Sequence, residues 1–341
     1  MSKSDIQGRP ATGDRHRVGL LLVPDFALLS FASAIEPLRA ANRLIGKPFY
    51  EWCHISPDGR PVSASSGIAI AADHRVGDEI ALDTLFVFVG GNPAAFDDPA
   101  TFAWLRTLAR RGVRIAGVSG GPYVLARAGL LDGHRCTIHW EHLPAFLEEF
   151  PQLDPERVLY VIDRQRMTCA GGIAALDLMR AVISDDLGAS VATAVGEWFL
   201  QTQLRLGSGP QRLTLRERYG TVSPRLLSVL QVMEERVDAP LSRTALARVA
   251  NVSVRQLERL FSDHLRTTIA DQYSTIRLDR ARALVQETAM PVLDIAVACG
   301  FVSASHFSRA YKQRFGLSPR NERKAEQSLR LSARESRRAV Q

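Results

Sequence analysis

Ser253-Val254-Arg255-Gln256-Leu257-Glu258-Arg259-Leu260-Phe261 and Ser303-Ala304-Ser305-His306-Phe307-Ser308-Arg309-Ala310-Tyr311 are two versions of one stretch. At a single offset of 50 residues, serine falls on serine, Leu257 on Phe307, Arg259 on Arg309 and Phe261 on Tyr311. The same offset carries Leu265 to Phe315 and Thr268 to Ser318. A short apolar segment precedes each serine: Leu246-Ala247-Arg248-Val249-Ala250 in the first copy, Ile295-Ala296-Val297-Ala298-Cys299 in the second. Asn251-Val252 and Gly300-Phe301-Val302 supply the turns between. Helix, tight turn, capped helix is the helix-turn-helix plan, and a tandem pair of them places two helices to enter DNA grooves.

The spacing also says which side chains face outward. Ser253 can cap its helix while Gln256, three residues on, reaches back to close a capping box. Leu257, Leu260 and Phe261 form the buried stripe, leaving Arg255, Gln256 and Arg259 outside. In the second copy Phe307, Ala310 and Tyr311 are the stripe, so Ser305, His306, Arg309 and Lys312 are outside, with Ser303 as cap. Arginine and glutamine at the front of such a helix can pair with guanine or adenine edges, and Arg309 and Lys312 suit phosphates. The plain alternative for any one of these residues is a solvated helix face. Charge argues against it for the set. From Leu206 onward there are 23 Lys/Arg against 13 Asp/Glu, or +10, and the chain total of +7 leaves −3 for everything before. The positive excess lies with the repeat, as a polyanion-binding segment requires.

The chain of 341 residues is long enough for two domains. Its 46% hydrophobic and 23% charged content is that of a globular protein. No stretch reaches the roughly 20 apolar residues of a membrane helix, and the polar N-terminus has no apolar signal region. Cys53, Cys136, Cys169 and Cys299 lack metal-site spacing. They are expected to be reduced thiols, with no metal, no cofactor and a cytoplasmic location. Before the repeat, residues 18–23, 85–89 and 113–118 are apolar runs of strand length, separated by helical stretches at 26–44, 101–111, 122–128 and 172–187. Runs apolar on both faces suit buried parallel strands. The expected fold is therefore α/β, a mostly parallel sheet covered on both sides, followed by an all-α domain. The boundaries read as a disordered tail at 1–14, an α/β domain at 15–205, a linker at 206–222, the helical domain at 223–323 and a charged tail at 324–341.

The helical domain resembles the DNA-binding domain of AraC-type regulators. Its second half carries the match: Ile295-Ala296, Cys299-Gly300-Phe301, Ser303, Ser305-His306-Phe307-Ser308-Arg309 and Phe315-Gly316-Leu317-Ser318-Pro319. The resemblance implies two recognition helices joined by a long helix at about 269–286, entering successive major grooves on one face of promoter DNA. One departure is visible. Arg266 and Ile269 stand where the second copy keeps Gly316 and Pro319, so strain is expected at the first copy's turn.

In the α/β domain the most chemical-looking stretch is Gly117-Val118-Ser119-Gly120-Gly121, a G-x-S-x-G between a strand and a helix. A nucleophile elbow has this form. A hydrolase or amidase would use Ser119 as nucleophile, His139 as base and Glu36 or Glu141 as orienter, but an α/β-hydrolase places its histidine late, after an acid. The stretch fits better into a second resemblance, to the DJ-1/PfpI (class I glutamine amidotransferase-like, flavodoxin-like) fold over about 17–201, as fused in AraC-type regulators of the GlxA-like group. It is carried by Glu36-Pro37-Leu38, Gly90-Gly91, Gly117 to Gly121, Ala128-Gly129-Leu130-Leu131-Asp132-Gly133, Thr137-Ile138-His139-Trp140-Glu141 and Thr168-Cys169-Ala170-Gly171-Gly172 with Leu176-Asp177. Catalytic relatives hold cysteine at the elbow. Serine here lacks the readily formed thiolate, so the resemblance implies a pocket without turnover.

The stretch 29–42 with Trp52, and 137–142, is most similar to regulators responsive to arginine, glycine betaine or carnitine. An amino-acid-like or quaternary-ammonium inducer follows from that resemblance. A zwitterion suits the residues themselves. Backbone N–H groups of the elbow at Ser119 and Gly120 would take the carboxylate, and Glu36 or Glu141 with Trp140 would suit the cation; Gly91 and His139 are further candidate ligand-binding residues. The alternative makes Trp52 and Trp140 core aromatics and His139 a structural histidine. The expected partners are promoter DNA, the inducer, a second copy of the chain and RNA polymerase, with no membrane; the expected role is activation of catabolic or transport genes.

Overall fold

A computed structural model of the protein describes residues 15–201, 203–325 and 328, in two units that meet in the chain between Gln211 and Arg212. The tail expected at 1–14, and most of that at 324–341, lie outside the described residues. In the first unit the chain runs β1 (His16–Leu22), α1 (Leu28–Ile45), β2 (Tyr50–Ser56), β3 (Val62–Ser63), β4 (Ala69–Ile70), β5 (His74–Arg75), β6 (Thr84–Val89), α2 (Pro99–Arg110), β7 (Arg114–Ser119), α3 (Gly121–Arg127), α4 (Leu143–Glu149), β8 (Tyr160–Asp163), β9 (Arg166–Cys169), α5 (Ala174–Leu187) and α6 (Ala189–Trp198). The main sheet has the order β5-β2-β1-β6-β7-β9-β8, while β3 and β4 form a separate pair. All neighbours in the main sheet are parallel except β8 with β9.

The three apolar runs of the sequence are the adjacent central strands β1, β6 and β7. Their side chains alternate between two cores. Phe86 and Phe88 join Leu20, Leu22 and Val118 beneath α1, α5 and α6, whereas Leu85, Val87 and Val89 join Leu21 and Ile115 beneath α2, α3 and α4. A strand buried on both faces must be apolar at every position, which explains the unbroken runs. Each such side chain contributes about 1.5–3 kcal/mol on burial. The chain turns one way from β1 to β2 and the other way to β6, so the sheet's switch point lies between β1 and β6, and their C-terminal ends open there.

The second unit runs α7 (Leu215–Tyr219), α8 (Pro224–Glu235), α9 (Arg243–Val249), α10 (Val254–Leu265), α11 (Ile269–Glu287), α12 (Val292–Ala298) and α13 (Ala304–Phe315). The stretch 206–222, read from sequence as linker, holds α7, closed by a Thr214–Glu217 capping box. Helix α11 serves two cores. Its Ile269 and Tyr273 pack with Leu230, Leu246, Leu257 and Phe261, while Leu278, Ala281, Leu284 and Val285 pack with Ile295, Phe307 and Tyr311. Each helix-turn-helix therefore closes its own core against one half of the shared helix.

Candidate nucleic-acid interface and effector site

Helix α10 begins where the sequence places it. Ser253 Oγ accepts from the Gln256 N–H at 3.3 Å, and Gln256 Oε1 accepts from the Ser253 N–H at 2.9 Å. The box fixes the helix start but occupies the carbonyl oxygen of Gln256. Pairing with an adenine edge needs both amide atoms, so Gln256 would have to leave its cap to read one. In α13, Ser303 Oγ accepts from the His306 N–H at 3.4 Å, and the His306 ring meets Phe301 edge-on at 5.8 Å. Leu257, Phe261, Phe307 and Tyr311 are buried, whereas Leu260 and Ala310 are only partly covered.

Ser253, Arg255, Gln256, Arg259, Ser303, Ser305, His306, Arg309 and Lys312 are all exposed. Several other cations of this unit are paired. Arg314 pairs with Asp279 at 2.7 Å, Arg282 with Glu322 at 2.7 Å and Arg243 with Glu258 at 3.4 Å. Arg277 lies 3.9 Å above the Phe301 ring and donates to Cys299 O and Gly300 O at 2.8 and 2.7 Å, holding the second turn from behind. Among the described residues, no hydrogen bond or ion pair ties the side chains of Arg255, Arg259, Arg309 or Lys312 to protein. Arg255 and Arg259 repeat at i, i+4, where like charges repel. The outer face of α10 therefore carries positive charge that no protein counterion offsets among the described residues.

In the first unit, Ser119 ends β7 at φ 62°. This left-handed conformation is one a serine rarely adopts, and such strain collects at functional positions. Gly171, after β9, lies so close that a Cβ there would come within 2.7 Å of Ser119 Cβ and 2.8 Å of Ser30 Oγ. Ser30 itself, buried in the first turn of α1, accepts from the Gly172 N–H at 2.7 Å. Ser30 thus joins the elbow, and no sequence motif marks it. Leu29, next to Ser30, and Ile173, next to Gly172, are exposed apolar side chains at 58% and 56%.

The chain also brings His139 to the elbow, since its N–H donates to Ser119 O at 3.3 Å. Burial, reinforced by His142, lowers the His139 pKa to about 4, so the ring is neutral near pH 7. Its Nδ1 accepts from the Glu141 N–H at 3.4 Å. Among the described residues, no hydrogen bond joins the Ser119 hydroxyl to the His139 ring. Trp140 stacks obliquely on His139 with ring centres 5.4 Å apart and is 43% exposed, so it is not a core aromatic; Trp52 is partly buried against the α1 core.

Two expected ligand contacts, Gly120 and Glu36, are placed differently, while Gly91 stays at the same end of the sheet as the elbow. Gly120 donates its N–H to Val89 O at 3.0 Å, and Pro122 has none to give, so the start of α3 is poor in anion donors. Glu36 lies six residues beyond Ser30, roughly 9 Å along α1, and its carboxylate pairs with Arg39 at 2.6 Å. Gly91, at φ 54°, sits beside Asp25 at the ends of β1 and β6. Ser119, Ser30 and the Gly171 backbone therefore lie together, and the chain at His139 meets them through Ser119 O.

Comparison with known proteins agrees with both halves. Residues 16–185 match the DJ-1/PfpI family and residues 246–325 match a helix-turn-helix domain. The chain is 46% identical to the HTH-type transcriptional regulator GlxA of Rhizobium meliloti, covering 89% of this chain and 94% of that one. It is 43% identical to the HTH-type transcriptional regulator CdhR of Pseudomonas aeruginosa, covering 89% and 90%. A solved protein of Vibrio parahaemolyticus shares the fold of the first unit, with 24% identity, a TM-score of 0.50 and coverage of 55% of this chain and 99% of that one.

Proposed function

The chain belongs to the AraC-type helix-turn-helix transcriptional regulators that carry a DJ-1/PfpI domain, and from that membership we propose a ligand-gated activator working in the cytoplasm as a homodimer, with RNA polymerase as its further partner. The observation that carries DNA binding furthest is the set of uncommitted cations on the outer faces of α10 and α13, where Arg243, Arg282 and Arg314 nearby are each paired with an acid. Arg255 and Arg309 read or anchor operator DNA; Arg259 and Lys312 neutralise phosphates.

The elbow is the effector site and works without turnover. A serine with no base on its hydroxyl is a weak nucleophile, whereas a neutral His139, an exposed Trp140 and Glu141 form a wall suited to a small zwitterion with a quaternary or guanidinium end. The carboxylate end meets the hydroxyls of Ser119 and Ser30 rather than the start of α3. Regulation follows if the ligand binds one arrangement of the chain better than the other.

Two measurements test the reading. Arg255→Ala and Arg309→Ala should each weaken operator binding by about 5- to 150-fold, the equivalent of about 1–3 kcal/mol, with thermal unfolding of the first unit unchanged. A thermal-shift screen with glycine betaine, L-carnitine and L-arginine should raise the melting temperature of the wild type but not of Trp140→Ala. Unchanged operator affinity in both arginine variants would discard the interface. Turnover of ester or amide substrates lost in Ser119→Ala would replace the sensor with a hydrolase.

A further inference from the structure

The last residues of the first unit are tied to the effector site by side-chain bonds. After α6 the chain is held at Asp177, a buried acid of α5 that pairs with Arg205 and accepts from Gln201 Nε2 at 2.6 Å. It then runs along the β8 side of the sheet, where Leu159 N–H donates to Gly207 O and Gly209 O at 2.9 and 3.0 Å and Val158 bridges Pro210. It ends at Gln211, whose Nε2 lies 2.9 Å from Thr137 Oγ1, 2.9 Å from Ile138 O and 2.8 Å from Val158 O. The next residue, Arg212, begins the DNA-binding unit.

Two of those three acceptors belong to the segment that carries His139, Trp140 and Glu141. From Gln211 the connection is Ile138 O, then one residue of backbone, then the His139 N–H on Ser119 O. The Gln211 amide is also badly matched to its place. Its two N–H protons face three acceptors, while its Oε1 is buried with no partner among the described residues. A buried acceptor without a donor destabilises the arrangement that creates it, so this junction is held less firmly than its short distances imply. A metastable element between two sites is what coupling needs.

Resting on the reading of the elbow as the effector site, we propose that Gln211 is a coupling latch: its amide joins the 137–141 wall of that site to the segment 205–211 that leads into the DNA-binding unit. A ligand seated against His139, Trp140 and Glu141 shifts the Ile138 carbonyl and Thr137 hydroxyl. The Gln211 amide then exchanges its acceptors, and residues 205–211 loosen or tighten directly before Arg212.

Amide hydrogen exchange in the full-length chain tests this without any ligand. Gln211→Leu keeps the volume and removes the amide; it should speed exchange at the His139 and Glu141 amides, which Gln211 does not touch, by about tenfold or more. His139→Ala should in turn speed exchange across 205–211 by a similar factor, and the double variant should add nothing further at either place. Exchange in β6 and β7 stays unchanged throughout, which separates transmission from general loosening. Gln211→Met repeats the test if the leucine variant does not fold. Normal exchange at 139–141 in the Gln211 variants, or additive effects in the double variant, overturns the latch. The effector-site reading stands or falls separately, on the thermal-shift screen.

Discussion

Gly300 and Gly316 look alike in the sequence and do different work. Both hold left-handed backbone, at φ 70° and 81°. A Cβ on Gly316 would meet nothing, whereas one on Gly300 would lie 2.6 Å from Val237 O and from Pro240 Cδ. Gly316→Ala should therefore cost only the backbone penalty, about 1 kcal/mol, and Gly300→Ala distinctly more, about 3 kcal/mol or above. Urea midpoints of the second unit would rank the two, and equal losses would refute the close approach. Arg266 shows the same penalty accepted without glycine: it holds φ 55° as the α10 cap, as the departure at that position predicts. His139 gives a pH signature. Its folded pKa of about 4 lies below the usual 6.5 or so of a free histidine, so the unfolded chain takes up the proton first. Its contribution is complete above about pH 6.5 and is lost as pH falls towards 4, by up to about 3 kcal/mol before allowance for the part-exposed ring. His139→Gln should flatten the stability profile over that window, and a profile identical to wild type would remove the buried ring from the account. At this scale the sequence reveals caps, because cap and partner lie three residues apart. It hides Ser30, whose neighbour Ser119 is reached only when α1 packs across the end of β9.

Elements declared themselves where burial was one-sided in helices or complete in strands. The runs of β1, β6 and β7 were visible because both their faces are covered, and α10 and α13 because their stripes repeat. Strand β2 does not stand out in the sequence: it carries Glu51 and His54 and has only the two-residue β5 beyond it, so its outer positions tolerate polar residues. The β8–β9 hairpin is four residues a side and turns through Arg164 at φ 56°, too short for alternation to stand out. Helix α11 was expected as a connector, but its weight lies in serving two cores and in Arg277. That guanidinium holds Cys299 O and Gly300 O together and covers Phe301, a fork that lysine cannot reproduce. Arg277→Lys should lower the stability of the second unit by about 2 kcal/mol and weaken operator binding, although the residue lies behind the proposed interface. Full operator affinity with reduced stability would show that the turn keeps its shape without the fork.

For the whole molecule, charge separates the two units more sharply than any motif does, since the +10 carried from Leu206 onward stands against −3 before it. If the second unit alone meets DNA, the salt dependence of operator binding counts its phosphate contacts, because each neutralised phosphate releases about 0.9 of a counterion. Removing an uncommitted cation that contacts phosphate should flatten the plot of log affinity against log salt by about one. Arg259→Ala and Lys312→Ala are expected to do so, while Arg314→Ala should leave the slope alone because that guanidinium is already neutralised by Asp279. Combining Arg259→Ala with Lys312→Ala should flatten the slope by about two, since the residues lie on different helices with separate cores and distant contacts add. A slope insensitive to both, with overall affinity reduced, would mean that these side chains act on base edges or through protein, and the division between phosphate anchors and base readers on α10 and α13 would have to be redrawn.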